Sequence, residues 1–261
     1  MKTFQKNLLS FIDATDKSTD YYNALLQFLK DENIINNPLE LKSILYIISN
    51  ITNNYHHQFN YFTKIKHLIN KIRSEITKNF SNITIFNIFK SNKKLLLFLI
   101  QEHIITIDKI IASKILEYSN DTNMYSAFFY PEIKPFIKKE DIDKIKRTLP
   151  INFNQNFESK RTIGKNDDKI YKIIRHDLVD DFKGLNENKT IKNFWDKINP
   201  SIFETNTFLI NQRYTKIIDY VAFYGSIKIF NYMVSENVTL QSTIWPYAIH
   251  GANTEIIDIL L

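Results

Sequence analysis

Apolar residues recur through the first half of the chain at intervals of three and four, the period of helices that bury one face. "STDYYNALLQFLKDEN" sets Tyr22, Leu25, Leu26 and Leu29 on one side, behind Ser18 as an expected N-cap. "NNPLELKSILYIISNI" has Asn37 ahead of Pro38, a cap followed by a first helical position, then Leu41, Ile44, Leu45 and Ile48. In "NYFTKIKHLINKIRSEITKNF" one face carries Phe62, Ile65, Leu68, Ile69, Ile72 and Ile76, while Lys64, Lys66, Lys71 and Arg73 line the others. "SNKKLLLFLIQEH" and "TIDKIIASKILEYS" predict a closely packed helical pair. From about 120 to 160 the pattern weakens, interrupted by Pro131, Pro135 and Pro150, with one short helix expected near 139–148.

Beyond that stretch the organisation changes. "VAFYGSIKIFNYMV" (Val221–Val234) aligns without gaps with "AIHGANTEIIDILL" (Ala248–Leu261) at a spacing of 27, so that Ile229 meets Ile256, Phe230 meets Ile257 and Met233 meets Leu260. Each reads as a helix, a tight turn containing Gly225 or Gly251, and a second helix opened by Ser226 or Asn253. "DDKIYKIIRHDLVDDFKGL" has the same form, with Ile170, Ile173 and Ile174 before a turn at His176-Asp177 and Leu178 and Phe182 after it. Recurring helix–turn–helix units are the signature of a solenoid, in which each unit buries its apolar side on its neighbour. The final "EIIDILL" carries Ile256, Ile257, Leu260 and Leu261 with no cap after them, so the last repeat is expected to be truncated.

These residues bring a family into view. "AFYGSIKIFNYM" and "AIHGANTEIIDILL" resemble ankyrin repeats, whose helical core reads A-x-x-G-x-x-E-I-V-x-x-L-L. With "FYPEIKPF", "KRTIGKNDDKIYKIIRHDLVDDF" and "PSIFETNTFLI", the chain is similar to ankyrin-repeat proteins with an uncharacterised helical N-terminal region, of the kind expanded in trichomonad-type protists. The resemblance covers roughly 129–261 and implies an ankyrin solenoid, a protein-binding role and no enzymatic activity. There are departures: the spacing of 27 is short, the T-P-L-H opening is missing, and "SENVTLQST" lacks the Asp-Gly of a finger turn.

Composition narrows the chemistry. With 261 residues, 44% hydrophobic and only four glycines and six prolines, the chain suits helices joined by Asn-rich turns rather than many tight hairpins. No cysteine is present, which excludes disulfides and thiol ligands and makes a reducing, cytoplasmic compartment the expectation. The N-terminus reads as an amphipathic helix rather than a signal peptide, and "LLLFLI" is too short to span a bilayer, so no membrane role is expected.

No catalytic motif is found. The glycines are isolated, so no loop can cradle a phosphate, and there is no GxSxG elbow. "QEHII" supplies His103 with no second histidine one turn away, and the adjacent His56 and His57 diverge on a helix, so no metal or other cofactor is expected. The paired carboxylates Asp180-Asp181 and Glu140–Asp143 read as solvated charges with lysines nearby. Net charge is +6; from Ile151 onward 13 Lys and Arg meet 13 Asp and Glu, so the whole excess lies in residues 1–150.

The reading is an all-α protein: a helical N-terminal domain over 1–125, a connector with a short helix over 126–160, and an ankyrin-like α-solenoid over 161–261. Its expected role is a protein–protein interaction module without catalytic activity. The expected partner-binding residues lie on first helices and turns of the repeats: Tyr220, Tyr224, Trp245, Tyr247 and His250. The alternative is a nucleic-acid-binding surface on the basic half, where Lys64, Lys66, His67, Lys71 and Arg73 interleave with Tyr61 and Phe62. Pattern and composition leave the protein partner and the oligomeric state open.

Overall fold

A computed structural model describes residues 2–14, 20–56, 60–120, 124–149, 156–212 and 215–261; Ser18, His57 and Pro150 lie outside them. Among the described residues the protein is all-α, and the nearest thing to a strand is a single bridge between Lys197 and Lys216. The chain divides into two compact units. Unit 1 comprises Met1–Phe157 with Thr205–Thr207, and unit 2 comprises Glu158–Glu204 with Phe208–Leu261.

Unit 1 is built from α1 (Lys2–Asp13), α2 (Asp20–Asp31), α3 (Pro38–Asn54), α4 (Tyr61–Lys71), α5 (Arg73–Asn79) and α6 (Asn82–Phe89), followed by α7 (Lys93–Gln101), α8 (Lys109–Tyr118), α9 (Tyr125–Phe128), α10 (Tyr130–Ile133) and α11 (Lys139–Thr148). Asn37 caps α3, its Oδ1 accepting from the Leu39 and Glu40 N–H groups, with Pro38 at the first position where its missing N–H costs nothing. The buried faces of α3 and α4 hold Leu41, Ile44, Leu45, Ile48, Ile65, Leu68 and Ile69. The long periodic run after Asn60 breaks at Ile72, whose φ of −105° and ψ of 15° separate α4 from α5 while Ile72 and Ile76 both stay in the core. The helices of "SNKKLLLFLIQEH" and "TIDKIIASKILEYS" share a partner: α7 and α8 each pack against α6.

The first part of the stretch read as a connector is packed into a core. Tyr125, Ala127, Phe128, Phe129, Tyr130 and Ile133 are buried, and α9 and α10 pack on α8 while α11 packs on α9. Prolines interrupt the helical period there, yet the short helical turn Tyr130–Ile133 still buries Tyr130 and Ile133, while Phe136 beyond Pro135 is left exposed.

Unit 2 contains α12 (Phe157–Ile163) and α15 (Thr207–Asn211) except for their first residues, with α13 (Lys169–Arg175), α14 (Val179–Glu187), α16 (Ile217–Tyr224), α17 (Ile227–Ser235), α18 (Trp245–Gly251) and α19 (Thr254–Leu260). Three helical hairpins form: α13 with α14, α16 with α17, and α18 with α19. Their first helices pack in the order α13, α16, α18, and their second helices in the order α14, α17, α19, which makes a two-layered array. One apolar core runs through it, from Ile173, Ile174 and Phe182 past Ile218, Val221, Phe223, Ile229 and Phe230 to Ala248 and Ile256.

Candidate interaction surface

Each hairpin turns on one residue in the left-handed region: Asp177 (φ 50°), Gly225 (φ 65°) and Ala252 (φ 49°). Gly225 and Ala252 are 27 residues apart, the spacing the sequence alignment uses, whereas Asp177 and Gly225 are 48 apart. The surplus chain holds α15 and the Lys197–Lys216 bridge. The turns bond to one another from hairpin to hairpin. The Asp177 carboxylate accepts from the Lys228 and Ile229 N–H groups, both at 3.0 Å, so the first turn caps α17. The expected cap, Ser226, is buried and instead donates from Oγ to Ile174 O at 2.6 Å. Asn253 donates from Nδ2 to Gly225 O and accepts at Oδ1 from Ile256 N, both at 3.1 Å. Asp177→Ala, which removes a cap and leaves two N–H groups unbonded, is expected to cost unit 2 about 2 kcal/mol. Urea unfolding checks it: a loss below about 0.5 kcal/mol would mean water replaces the carboxylate without penalty.

Gly251 is not the turn residue that the sequence suggested. It ends α18, and the left-handed position falls on Ala252. A Cβ on Gly251 would lie 2.2 Å from Ala222 O and 3.2 Å from Phe223 O, so the glycine is there to let α18 approach the backbone of α16.

The same close approach corrects two of the five expected contact residues. Helix α16 lies between α13 and α18, and every residue from Ile217 to Phe223 is buried. Tyr220 is 0% exposed; its ring lies 5.0 Å from that of Tyr171 and its hydroxyl accepts from Arg175 Nη1 at 2.8 Å. Burial pushes its phenol well above the ordinary range and that of Tyr171 up to about 12. Tyr247 is 7% exposed on the α16 side of α18, with its hydroxyl 3.5 Å from the buried Thr215 Oγ1. Both are core residues, and neither can anchor a partner.

Tyr224, Trp245 and His250 remain half-buried. The His250 ring rests 4.0 Å from that of Phe208, and burial lowers its pKa, which favours the neutral imidazole. Trp245 shares a face of α18 with Ile249, one turn on, which is 65% exposed. Sequence reasoning missed Ile249, although its alignment with the small, buried Ala222 is a signal that the two positions differ. On the far edge of the unit a groove of about 350 Å³ is lined by Asn186, Asn193, Phe194, Trp195, Glu236 and Val238 among others.

Among the described residues no group of three or more His, Asp or Glu is placed to hold a metal, and no helix is long and apolar enough to cross a membrane. In unit 1, Lys64 of the basic run is turned inward. Its ammonium donates to the carbonyls of Phe11 (3.1 Å), Ile12 (2.9 Å) and Ala14, satisfying the C-terminal end of α1. His67 packs at 4.9 Å on Tyr22, and Phe62 is covered by Lys66 and Lys94 at 5.7 and 4.7 Å. Lys64, Lys66 and Lys94 thus serve the fold's own carbonyls and rings, while Lys71 and Arg73 are exposed.

The fold thus defines the class as an all-α protein whose second unit is an array of paired helices. No protein-family model, no curated protein and no solved structure matches the chain.

Proposed function

We propose that the chain is a protein–protein interaction module that uses ankyrin-like repeats in unit 2 and has no catalytic activity of its own. The observation that carries this reading is the two-layered array of hairpins, joined turn to turn through Asp177, Ser226 and Asn253. Such an array fixes its backbone through internal contacts, so side chains on its outer surface are free to serve recognition. The resemblance of "AFYGSIKIFNYM" and "AIHGANTEIIDILL" to ankyrin helices supports the same conclusion. The contact surface centres on the outward face of α18, where Trp245 and Ile249 combine an aromatic ring with exposed aliphatic area. The inward use of Lys64 favours this reading over a nucleic-acid surface on unit 1.

Affinity capture with the intact chain, compared with an Ile249→Glu, Trp245→Ala variant, tests it. The retained protein is expected to fall at least about tenfold on the variant, with unchanged far-UV circular dichroism. Retention of the same proteins by both chains, or of nothing above an inert matrix, removes the proposal.

A further inference from the structure

Unit 2 holds two half-buried cations that make no ion pair among the described residues. Lys165 lies in the loop between α12 and α13, and Arg175 in the last turn of α13. Both approach one ring: Lys165 Nζ is 5.4 Å from the Tyr224 centroid and Arg175 Cζ is 5.9 Å from it. Arg175 is oriented by its bond to Tyr220, whose ring lies 4.7 Å from that of Tyr224. Among the described residues neither cation makes an ion pair, and Lys165 donates no hydrogen bond. The nearest carboxylate influence comes from Glu204, 7% exposed and bonded to Asn166 N at 3.2 Å; it offsets only part of the two charges. Burial and the neighbouring Arg175 lower the pKa of Lys165, as expected where positive charge exceeds its compensation.

We infer that Lys165, Arg175 and Tyr224 form a receiving site for a carboxylate side chain of an acidic peptide. A carboxylate entering between the two cations would relieve their mutual repulsion and complete the donors that Tyr220 leaves unused on Arg175. The 13 basic and 13 acidic groups from Ile151 onward cancel, so this part of the chain offers a polyanion backbone no net attraction and favours a single carboxylate as the occupant. The inference rests on unit 2 being an interaction module and specifies the chemistry of what it meets.

The test uses the full chain and fluorescein-labelled hexaglutamate, followed by fluorescence anisotropy. Hexaglutamate is expected to bind more tightly than hexaglutamine, to weaken as salt rises, and to weaken about tenfold in Lys165→Gln, a change at a side chain with no hydrogen bond to lose. In wild-type chain carrying 13C-dimethylated lysines, the Lys165 signal is expected to titrate at higher pH once hexaglutamate is present, a readout that needs no substitution. Equal binding of hexaglutamine, no loss in Lys165→Gln, an unmoved Lys165 titration, or tighter binding of an oligonucleotide of equal charge would overturn the site. A captured partner that Lys165→Gln retains in full would also sink the site while leaving the module reading intact. Hexaglutamate binding with no captured partner would support the site and count against the module.

Discussion

Gly251→Ala is expected to destabilise unit 2 by about 3 kcal/mol or more, the upper range for forcing extra volume into a packed contact. The added methyl would sit 2.2 Å from Ala222 O, with Phe223 O at 3.2 Å. Both are backbone atoms of α16 and cannot rotate away as a side chain could. Relief therefore requires α18 to withdraw from α16, which would disturb Tyr247, Ala248 and Ile244, all buried at that contact. Gly184→Ala supplies the control. Gly184 lies inside α14 with nothing within 4 Å of an added Cβ, so the same change there is expected to stabilise by about 0.5–1 kcal/mol through helix propensity. Urea unfolding of both variants, followed through tryptophan fluorescence from Trp195 and Trp245, separates the two effects. If Gly251→Ala behaves like Gly184→Ala, the close approach of the two helices is wrong.

That glycine also shows what could be read in the sequence and what could not. The helices themselves were legible because their apolar residues repeat at the helical period and because caps such as Asn37 and Asn253 act within three residues of their own position. The hairpin turns were legible to within one residue. The sequence points to Gly251 as the turn, but the left-handed position is Ala252, since a glycine can be needed for proximity to another helix as well as for φ. Tyr220 and Tyr247 were misplaced for a related reason. A helix with neighbours on two sides retains little solvent face, and the partner that satisfies the Tyr220 hydroxyl, Arg175, is 45 residues away. No local pattern encodes that pairing. Ser226 has the chemistry of a cap, yet the carboxylate of Asp177 takes the role from the preceding hairpin and leaves the serine to bond Ile174 O. The Lys165–Arg175 pair is invisible for the same reason, as its members converge only on a ring from another hairpin.

Asp219→Asn is expected to stabilise the protein above neutral pH, by up to about 3 kcal/mol, although it removes a charge from the first turn of a helix. Asp219 is 2% exposed; its Oδ2 accepts from Lys216 N at 3.0 Å and its Oδ1 has no partner. Burial raises its pKa from 3.8 to about 6, opposed by the Lys216 N–H and the Lys216 charge. The sign follows from the protons held. Below about 4 the carboxyl is protonated whether the chain is folded or not, and it contributes no difference. Between about 4 and 6 the folded chain holds a proton that the unfolded chain has released, so stability falls as pH rises. Above about 6 both states are ionised and the folded one bears the full cost of a buried, half-satisfied carboxylate. Asparagine keeps an acceptor for Lys216 N and carries no charge, which also removes the Asp219 contribution to the raised Tyr247 phenol. Urea unfolding free energies of the two chains are therefore expected to converge toward pH 3.5, to separate through pH 4–6 and to run parallel above pH 7, with the variant the more stable. A separation that does not change with pH would show that Asp219 is solvated in the folded protein. A variant weaker at every pH would show that the carboxylate's place at the start of α16 outweighs the cost of burying it.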